Sequence, residues 1–332
     1  MWGKYLIVAA MSLSSFSFAA EKEARVVGGS DATISQAPWQ AFVRIGNNFC
    51  GGVIISDFWI LTAAHCLDTA GSDDPFSLAS ASSVTVYTGT VETFNANFSD
   101  FLSEVDAVYV HGGYSKDSLE NDIALVKLSS SVHANASSVV LADTSVQANV
   151  DATGNQGLGD LRLSGWGFTD TGRTTSTNTL QIASLSTVLD STCASAWGAT
   201  VSGVSSYQNK FFCAQESNVG ACNGDSGGPL IWMDPNRSSD ADNGATLVGI
   251  VSFGVNAQCA SSTFPDVYTQ VSNYSDWIGA CQAGNCVNSS SNTVSGGGGG
   301  GAIHYYLSVF LLLILMLRRE ITRFSPVLKR GM

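Results

Sequence analysis

The chain has 332 residues, 45% of them hydrophobic and 13% charged, with a formal net charge of −12 at pH 7. That is enough apolar material for one large all-β unit or two smaller domains, and it excludes a low-complexity or collagen-like chain. Between Val26 and Gly301 there are 24 acidic residues against 7 basic ones, about −17 overall; this excludes nucleic acid as a partner, and it either steers cationic substrates inward at low salt or is a plain solubilising coat.

Taken from the N-terminus, residues 1–19 carry a lone Lys4, the apolar run "YLIVAAM" and a small-residue finish with Ser17 and Ala19. This is the pattern of a signal peptide cut after Ala19, and the apolar run is short for a retained anchor. Residues 20–25 are a short polar stub. From Val26 onward, short apolar runs are split by Gly, Ser, Asn and Asp, as in "AFVRI" from Ala41, "VTVY" from Val84, "IALVKL" from Ile123 and "TLVGIVSF" from Thr246. Short runs with little helical periodicity predict strands in a barrel or sandwich. One helix is expected near the end, where Val271, Tyr274, Trp277 and Ile278 share a face.

Residues 287–301, "VNSSSNTVSGGGGGG", read as a flexible linker. Residues 302–317, "AIHYYLSVFLLLILML", read as a transmembrane segment, although Ile303 to Leu317 is shorter than the roughly 17–25 residues that span a bilayer unaided. Residues 318–332 form a basic cytoplasmic tail with Arg318, Arg319, Arg323, Lys329 and Arg330, a positive-inside signal. The eight cysteines contain no CxxC pair, so zinc spacing is missing, and in an exported chain they predict structural disulfides.

Three distant segments carry chemistry. "LTAAHC" holds His65, "NDIALVKL" holds Asp122 and "GDSGGP" holds Ser226. Acyl transfer needs a hydroxyl activated by a base that a buried carboxylate orients, and these residue types supply all three roles. The order His, Asp, Ser matches one of the known triad orders. The bland alternative is a structural His, a surface Asp and a loop Ser.

Together with "RVVGG", "APWQAFV", "CGGVIIS", "WILTAAHC", "LSGWG", "CNGDSGGP", "VSFG" and "PDVYTQV", in that order, these segments resemble the chymotrypsin/trypsin family of serine endopeptidases from Val26 to about Ala280. The resemblance implies an all-β fold of two packed six-stranded antiparallel β-barrels with a C-terminal helix, here residues 26–286, and an active site between the barrels. It implies Ser226 as nucleophile, His65 as general acid/base, Asp122 as the group that fixes the imidazole tautomer, and the N–H groups of Gly224 and Ser226 as an oxyanion hole. It implies disulfides Cys50–Cys66, Cys193–Cys213 and Cys222–Cys259. Cys281 and Cys286 have no family partner, and a local bridge is expected.

In such enzymes a cut before "VVGG" frees an ammonium; here the cut falls after Arg25, making residues 20–25 an activation propeptide and pairing Val26 with Asp225. Ser252, Phe253 and Gly254 would form the edge along which a peptide adds as a strand. Family members that cut after Lys or Arg carry an aspartate where Gly220 stands, beside Ala221. Here Asp266 replaces a glycine on another wall, as in the collagenolytic proteases of crustaceans, so cleavage after Arg and Lys with tolerance of large apolar residues is expected. A neutral, chymotrypsin-like pocket and a non-catalytic surface adhesin on the same scaffold are the alternatives.

No cofactor or metal is expected; Asp73 and Asp74 read as a polar turn rather than a calcium loop. The partners implied are protein or peptide substrates and an activating protease, which could be the enzyme itself. The glycine run, apolar segment and basic cluster resemble the GlyGly-CTERM sorting signal of Gram-negative bacteria. That resemblance implies a rhomboid-type sorting protease cutting near the glycines, a cell-surface destination and transient membrane contact. A retained anchor is the alternative, and the basic end argues against a GPI signal.

Overall fold

The computed structural model describes residues 26–71, 73–153 and 161–286. The signal peptide, the propeptide with Arg25, the linker, the apolar segment and the basic tail all lie outside the described residues. In chain order the strands are β1 (Ser30–Asp31), β2 (Gln40–Ile45), β3 (Asn48–Ser56), β4 (Trp59–Thr62), β5 (Val84–Thr88), β6 (Leu102–Ser103), β7 (Val105–Val110), β8 (Ala124–Leu128), β9 (Val140–Leu141), β10 (Leu161–Gly165), β11 (Gln181–Val188), β12 (Phe211–Gln215), β13 (Pro229–Met233), β14 (Ala245–Phe253) and β15 (Asp266–Gln270). All four runs expected to be strands are strands.

The first sheet follows the order β6-β5-β2-β3-β4-β8-β7. Its ends are one bent segment: Ser103 pairs with Val86 of β5, while Val105 to Val110 pair along β8. Counting that segment once, the ring has six strands. The second sheet runs β1-β11-β10-β13-β14-β15-β12, and β12 pairs back onto β11, closing six strands with β1 outside the ring. The pairings are antiparallel except for the short β9 beside β14. Closure removes sheet edges, which explains why two compact barrels, rather than one open sheet, hold these runs.

Side-chain alternation separates the interiors. On β2, Ala41, Val43 and Ile45 fill the first barrel with Ile54, Ile60, Val86 and Val126, while Phe42 faces the second barrel. Leu163, Leu185, Phe212, Leu230 and Tyr268 fill the second. The strands between the two interiors are apolar on both faces: Leu230 and Trp232 of β13 point into the barrel, and Ile231 points into the shared layer. Such strands read as continuous apolar runs instead of alternating ones.

The C-terminal helical segment is a 3-10 turn (Val271–Tyr274) continuing into an α-helix (Ser275–Gln282). Val271, Tyr274 and Ile278 are buried in the layer between the barrels, with Trp277 packed against it. Four further α-helical stretches, Thr144–Thr153, Asp190–Trp197, Ala199–Ser202 and Tyr207–Lys210, were not anticipated from the sequence; the two longer ones carry only weak apolar periodicity. Four disulfides join Cys50 to Cys66, Cys193 to Cys213, Cys222 to Cys259 and Cys281 to Cys286. Among the described residues, no helix is long and apolar enough to cross a membrane.

Candidate active site

His65 begins the turn that follows β4, and Asp122 stands two residues before β8, on the adjacent strand of the same barrel. Asp122 is fully buried and is satisfied from several directions. His65 Nδ1 lies 2.7 Å from its Oδ2, the His65 backbone N–H donates to Oδ1 at 2.9 Å, and Ser252 Oγ donates to Oδ2 at 2.6 Å. The Thr269 hydroxyl donates to the Asp122 carbonyl at 2.8 Å. A carboxylate so placed accepts from Nδ1–H and leaves Nε2 of the imidazole unprotonated, as a base must be; here Nε2 lies 3.8 Å from Cys66 Sγ. Burial works against charge on His65, but Asp122, and more weakly Asp68, outweigh it and raise the His65 pKa above the ordinary 6.5.

The turn before Asp122 is held by Asn121, which has φ 55°, donates from Nδ2 to the Gly113 carbonyl at 2.7 Å, and accepts from the Tyr274 hydroxyl at 3.0 Å. Tyr274 belongs to the C-terminal segment, so that segment buttresses the carboxylate from behind.

Ser226 sits in the tight turn between Cys222 and β13, and it lines the same cleft of about 440 Å³ as His65. No hydrogen bond joins its Oγ to His65 among the described residues; catalytic hydrogen bonds are often long until substrate binds. The Gly51 N–H donates to the Ser226 carbonyl at 2.8 Å, tying the turn to the first barrel. Gly224 has φ 104°, a backbone shape that side chains resist, which accounts for a glycine there. Among the described residues, the N–H groups of Gly224 and Ser226 donate to no protein acceptor. Both residues line a second part of the cleft, walled by Phe49, Trp166 and Phe168.

Asp266 opens β15 and is buried at 7% exposure, yet it lines the cleft that holds Ser226. Its Oδ2 accepts from the Ala221 N–H at 2.7 Å and lies 2.5 Å from where a Cβ on Gly220 would stand. The space that Gly220 leaves is therefore where the Asp266 carboxylate goes, and Oδ1 faces Gly254, which also lines the cleft. Burial, helped by nearby Asp225, pushes the Asp266 pKa up to about 7. Asp225 is fully buried, accepts from the N–H groups of Gly167 (2.8 Å) and Cys222 (2.9 Å), and is likewise raised by burial to about 7. No cation pairs with it among the described residues. Val26 is fully buried in the second barrel's core at φ 41°, and Val27 pairs with Gly220 on the pocket wall.

Cys50, Cys66 and His65 offer ligand atoms close together, but both sulfurs are in one disulfide and so are no thiolates for a metal. In the loop of Asp73 and Asp74, the Lys116 ammonium already takes the Asp68 carboxylate and the Gly71 and Asp74 carbonyls, at 2.7, 2.7 and 2.9 Å. Sequence reasoning placed Ser252 on the substrate edge and missed its bond to Asp122; it also missed Thr269 and the cleft residue Arg173. A hydroxyl next to a buried carboxylate leaves no spacing signature.

The trypsin family model matches residues 26–278. The trypsin Tyr p 3.0101 of Tyrophagus putrescentiae is 37% identical over 257 residues, 76% of this chain and 79% of its own. Trypsin alpha of Drosophila erecta is 36% identical, covering 77% and 87%, and trypsin I-P1 of Gallus gallus is 31% identical, covering 82% and 94%.

The His65 geometry sets a pH dependence. Peptidase activity needs the neutral imidazole, so kcat/KM should rise with pH along a limb whose midpoint lies above 6.5, since the folded-state pKa is raised. Asp122→Asn removes the attraction that raises it; the limb should move down while activity falls by about 10⁴-fold through loss of the correct tautomer. A pH–rate profile of both proteins checks this, and an unmoved limb would show that Asp122 does not set the His65 charge.

Proposed function

The chain belongs to the trypsin family and is a serine endopeptidase, and from that premise we propose that it is exported, activated by one cut, and cleaves after Arg and Lys while accepting large apolar residues. The observation that carries the specificity is the Asp266 carboxylate in the cleft of Ser226 and His65, in the space left by Gly220.

Ser226 Oγ attacks the scissile carbonyl as His65 Nε2 takes its proton. The resulting oxyanion is received by the N–H groups of Gly224 and Ser226, each worth about 3–4 kcal/mol in this chemistry. His65 then returns the proton to the leaving amine as the C–N bond breaks, leaving the acyl group on Ser226. A water deprotonated by His65 attacks that ester, releases the acid and restores the serine hydroxyl, and Asp122 stabilises the imidazolium each time it forms. Ser226→Ala should therefore fold normally and retain almost no peptidase activity, a loss of several orders of magnitude. Substantial turnover by the purified variant, or failure of a fluorophosphonate probe to label Ser226 of the wild type after activation, would favour the surface-binding alternative.

Burial at Val26 supports the activation reading. Cutting after Arg25 would turn that buried residue into a new N-terminus and create an ammonium. Asp225, buried with only N–H partners among the described residues, is the group that would gain from the new charge. Arg25→Gln should yield a stable, nearly inactive precursor; full activity in uncut protein would overturn the scheme. The four disulfides fit an oxidising compartment, in keeping with export. The glycine run, apolar segment and basic tail support cell-surface sorting in a Gram-negative bacterium through cleavage near Gly296–Gly301.

In the pocket, a guanidinium beside Asp266 gains a charge-assisted bond, whereas an apolar side chain meets a carboxyl that is half neutral near pH 7. A pKa raised to about 7 means a neutral acid below that pH and a carboxylate above it. The ratio of Arg to Phe cleavage should accordingly rise with pH, with its midpoint below about 7 once an ammonium reaching Asp225 removes that carboxylate's repulsion. Asp266→Gly should lose most Arg and Lys cleavage, keep cleavage after Phe or Leu, and flatten that pH dependence. Unchanged preference for basic residues in the variant would place the charge elsewhere.

A further inference from the structure

One cation in the cleft is unexplained by the reaction. Lys116, Lys127, Lys210 and Arg237 are each paired with a carboxylate. Arg173 has no carboxylate partner among the described residues, yet it lines the cleft with His65, Ser226 and Asp266. It is also held in place. Its Nη2 donates to the Val255 carbonyl at 3.1 Å, and its Nε lies 3.4 Å from Cys259 Sγ.

The turn that presents Arg173 is built for the purpose by Asp170. One carboxylate accepts from the N–H groups of Gly172, Thr174 and Thr175 and from the Thr174 hydroxyl, and Arg173 itself sits at φ 58°. The Cys259 N–H donates to the Thr171 carbonyl at 3.2 Å, which pins the turn to the Cys222–Cys259 disulfide at the pocket rim. The guanidinium has five N–H donors. Two of its nitrogens are engaged, and Nη1 makes no bond among the described residues.

We propose that Arg173 is a specificity-determining residue that selects an acidic side chain at the third position before the scissile bond, and that a second copy of this chain, through Glu23, is a substrate that fits. The inference rests on the peptidase reading above. A substrate added as a strand along Ser252–Gly254 places its first residue over Asp266. Side chains two apart on a strand share a face, so the third residue projects over the same rim, beside Gly254 and Val255, where Arg173 stands. The chain's own activation segment, "EKEAR", has Arg25 in the first position and Glu23 in the third. Its cation meets Asp266 and its carboxylate meets Arg173, each opposite in charge. Lys22 and Ala24 fall on the other face.

The test compares kcat/KM for two fluorogenic peptides ending Glu-Ala-Arg and Lys-Ala-Arg, using the purified active protein. The wild type should favour the Glu peptide by about tenfold, the size expected of one charge-assisted contact in a partly open cleft. Arg173→Glu should invert the ratio and Arg173→Gln should bring it near one, so that either variant suffices if the other fails to fold. A wild-type ratio within twofold of one, or a ratio unchanged in both variants, overturns the proposal while leaving the peptidase reading intact. Failure of the wild type to cut either peptide would overturn both. For the second-copy arm, full-length Ser226→Ala serves as substrate for a trace of active enzyme. The cut after Arg25 should slow about tenfold on adding Glu23→Lys; equal rates would remove Glu23 from the recognition, and no cut in either form would remove this chain as its own substrate.

Discussion

A buried carboxylate with no water to solvate it must find its hydrogen bonds in the protein, and Asp122 finds them in both barrels. The first barrel supplies two N–H donors from His65, and the second supplies the hydroxyl of Ser252 at the end of β14. Thr269 of β15 adds a bond to the same residue's carbonyl. An unpaired buried charge costs several kcal/mol, so any sliding of one barrel against the other is penalised at this point. The interface between barrels is thus locked where His65 must be aimed. The apolar layer of Phe42, Ile231, Leu247 and Tyr274 supplies attraction without direction; the Asp122 network supplies the register.

A pair of buried carboxylates, Asp225 and Asp266, would connect the proposed activation to the pocket. Asp225 raises the pKa of Asp266, on top of the larger effect of burial. An ammonium reaching Asp225 would cancel that repulsion and favour the charged form of Asp266 at a given pH. Were the chain cut after Arg25 as proposed, the cut would then also sharpen the pocket's affinity for cations. Val27 pairing with Gly220 provides a direct backbone link between this segment and the pocket wall.

The fold was legible in the sequence wherever burial is one-sided or complete. The run from Ala41 alternates between two interiors, and the run from Thr246 is apolar on both faces because β14 lies between them. The helix at Asp190–Trp197 was not legible, because only Cys193 and Ala194 are buried and no apolar stripe marks it. In the site, His65, Asp122, Ser226 and Asp266 announce themselves through their flanking segments. Ser252, Thr269 and Arg173 do not. Their roles depend on chain crossings 130 and 147 residues apart for the two hydroxyls and 82 for Arg173, distances over which no local pattern extends.

The acidity of the body bears on how a substrate with a glutamate can be chosen at all. About −17 over the region from Val26 to Gly301 would repel an acidic peptide at long range. That field is screened beyond about 8–10 Å in ordinary salt, so it governs approach rather than the final contact. The segment "EKEAR" also has no net charge, since two glutamates offset Lys22 and Arg25. The segment itself adds nothing to the repulsion, but a second copy brings the same acidic body, so the approach of two copies is slowed at low salt and eased by screening. Discrimination at contact falls to register: a cation must reach Asp266 in the same strand that brings a carboxylate to Arg173. A sequence with the same net charge but the signs displaced by one position would put each charge on the wrong face. Placing few cations on an acidic body, and fixing one of them at the pocket rim with the Asp170 turn, makes the pattern of charge in a substrate count for more than its amount.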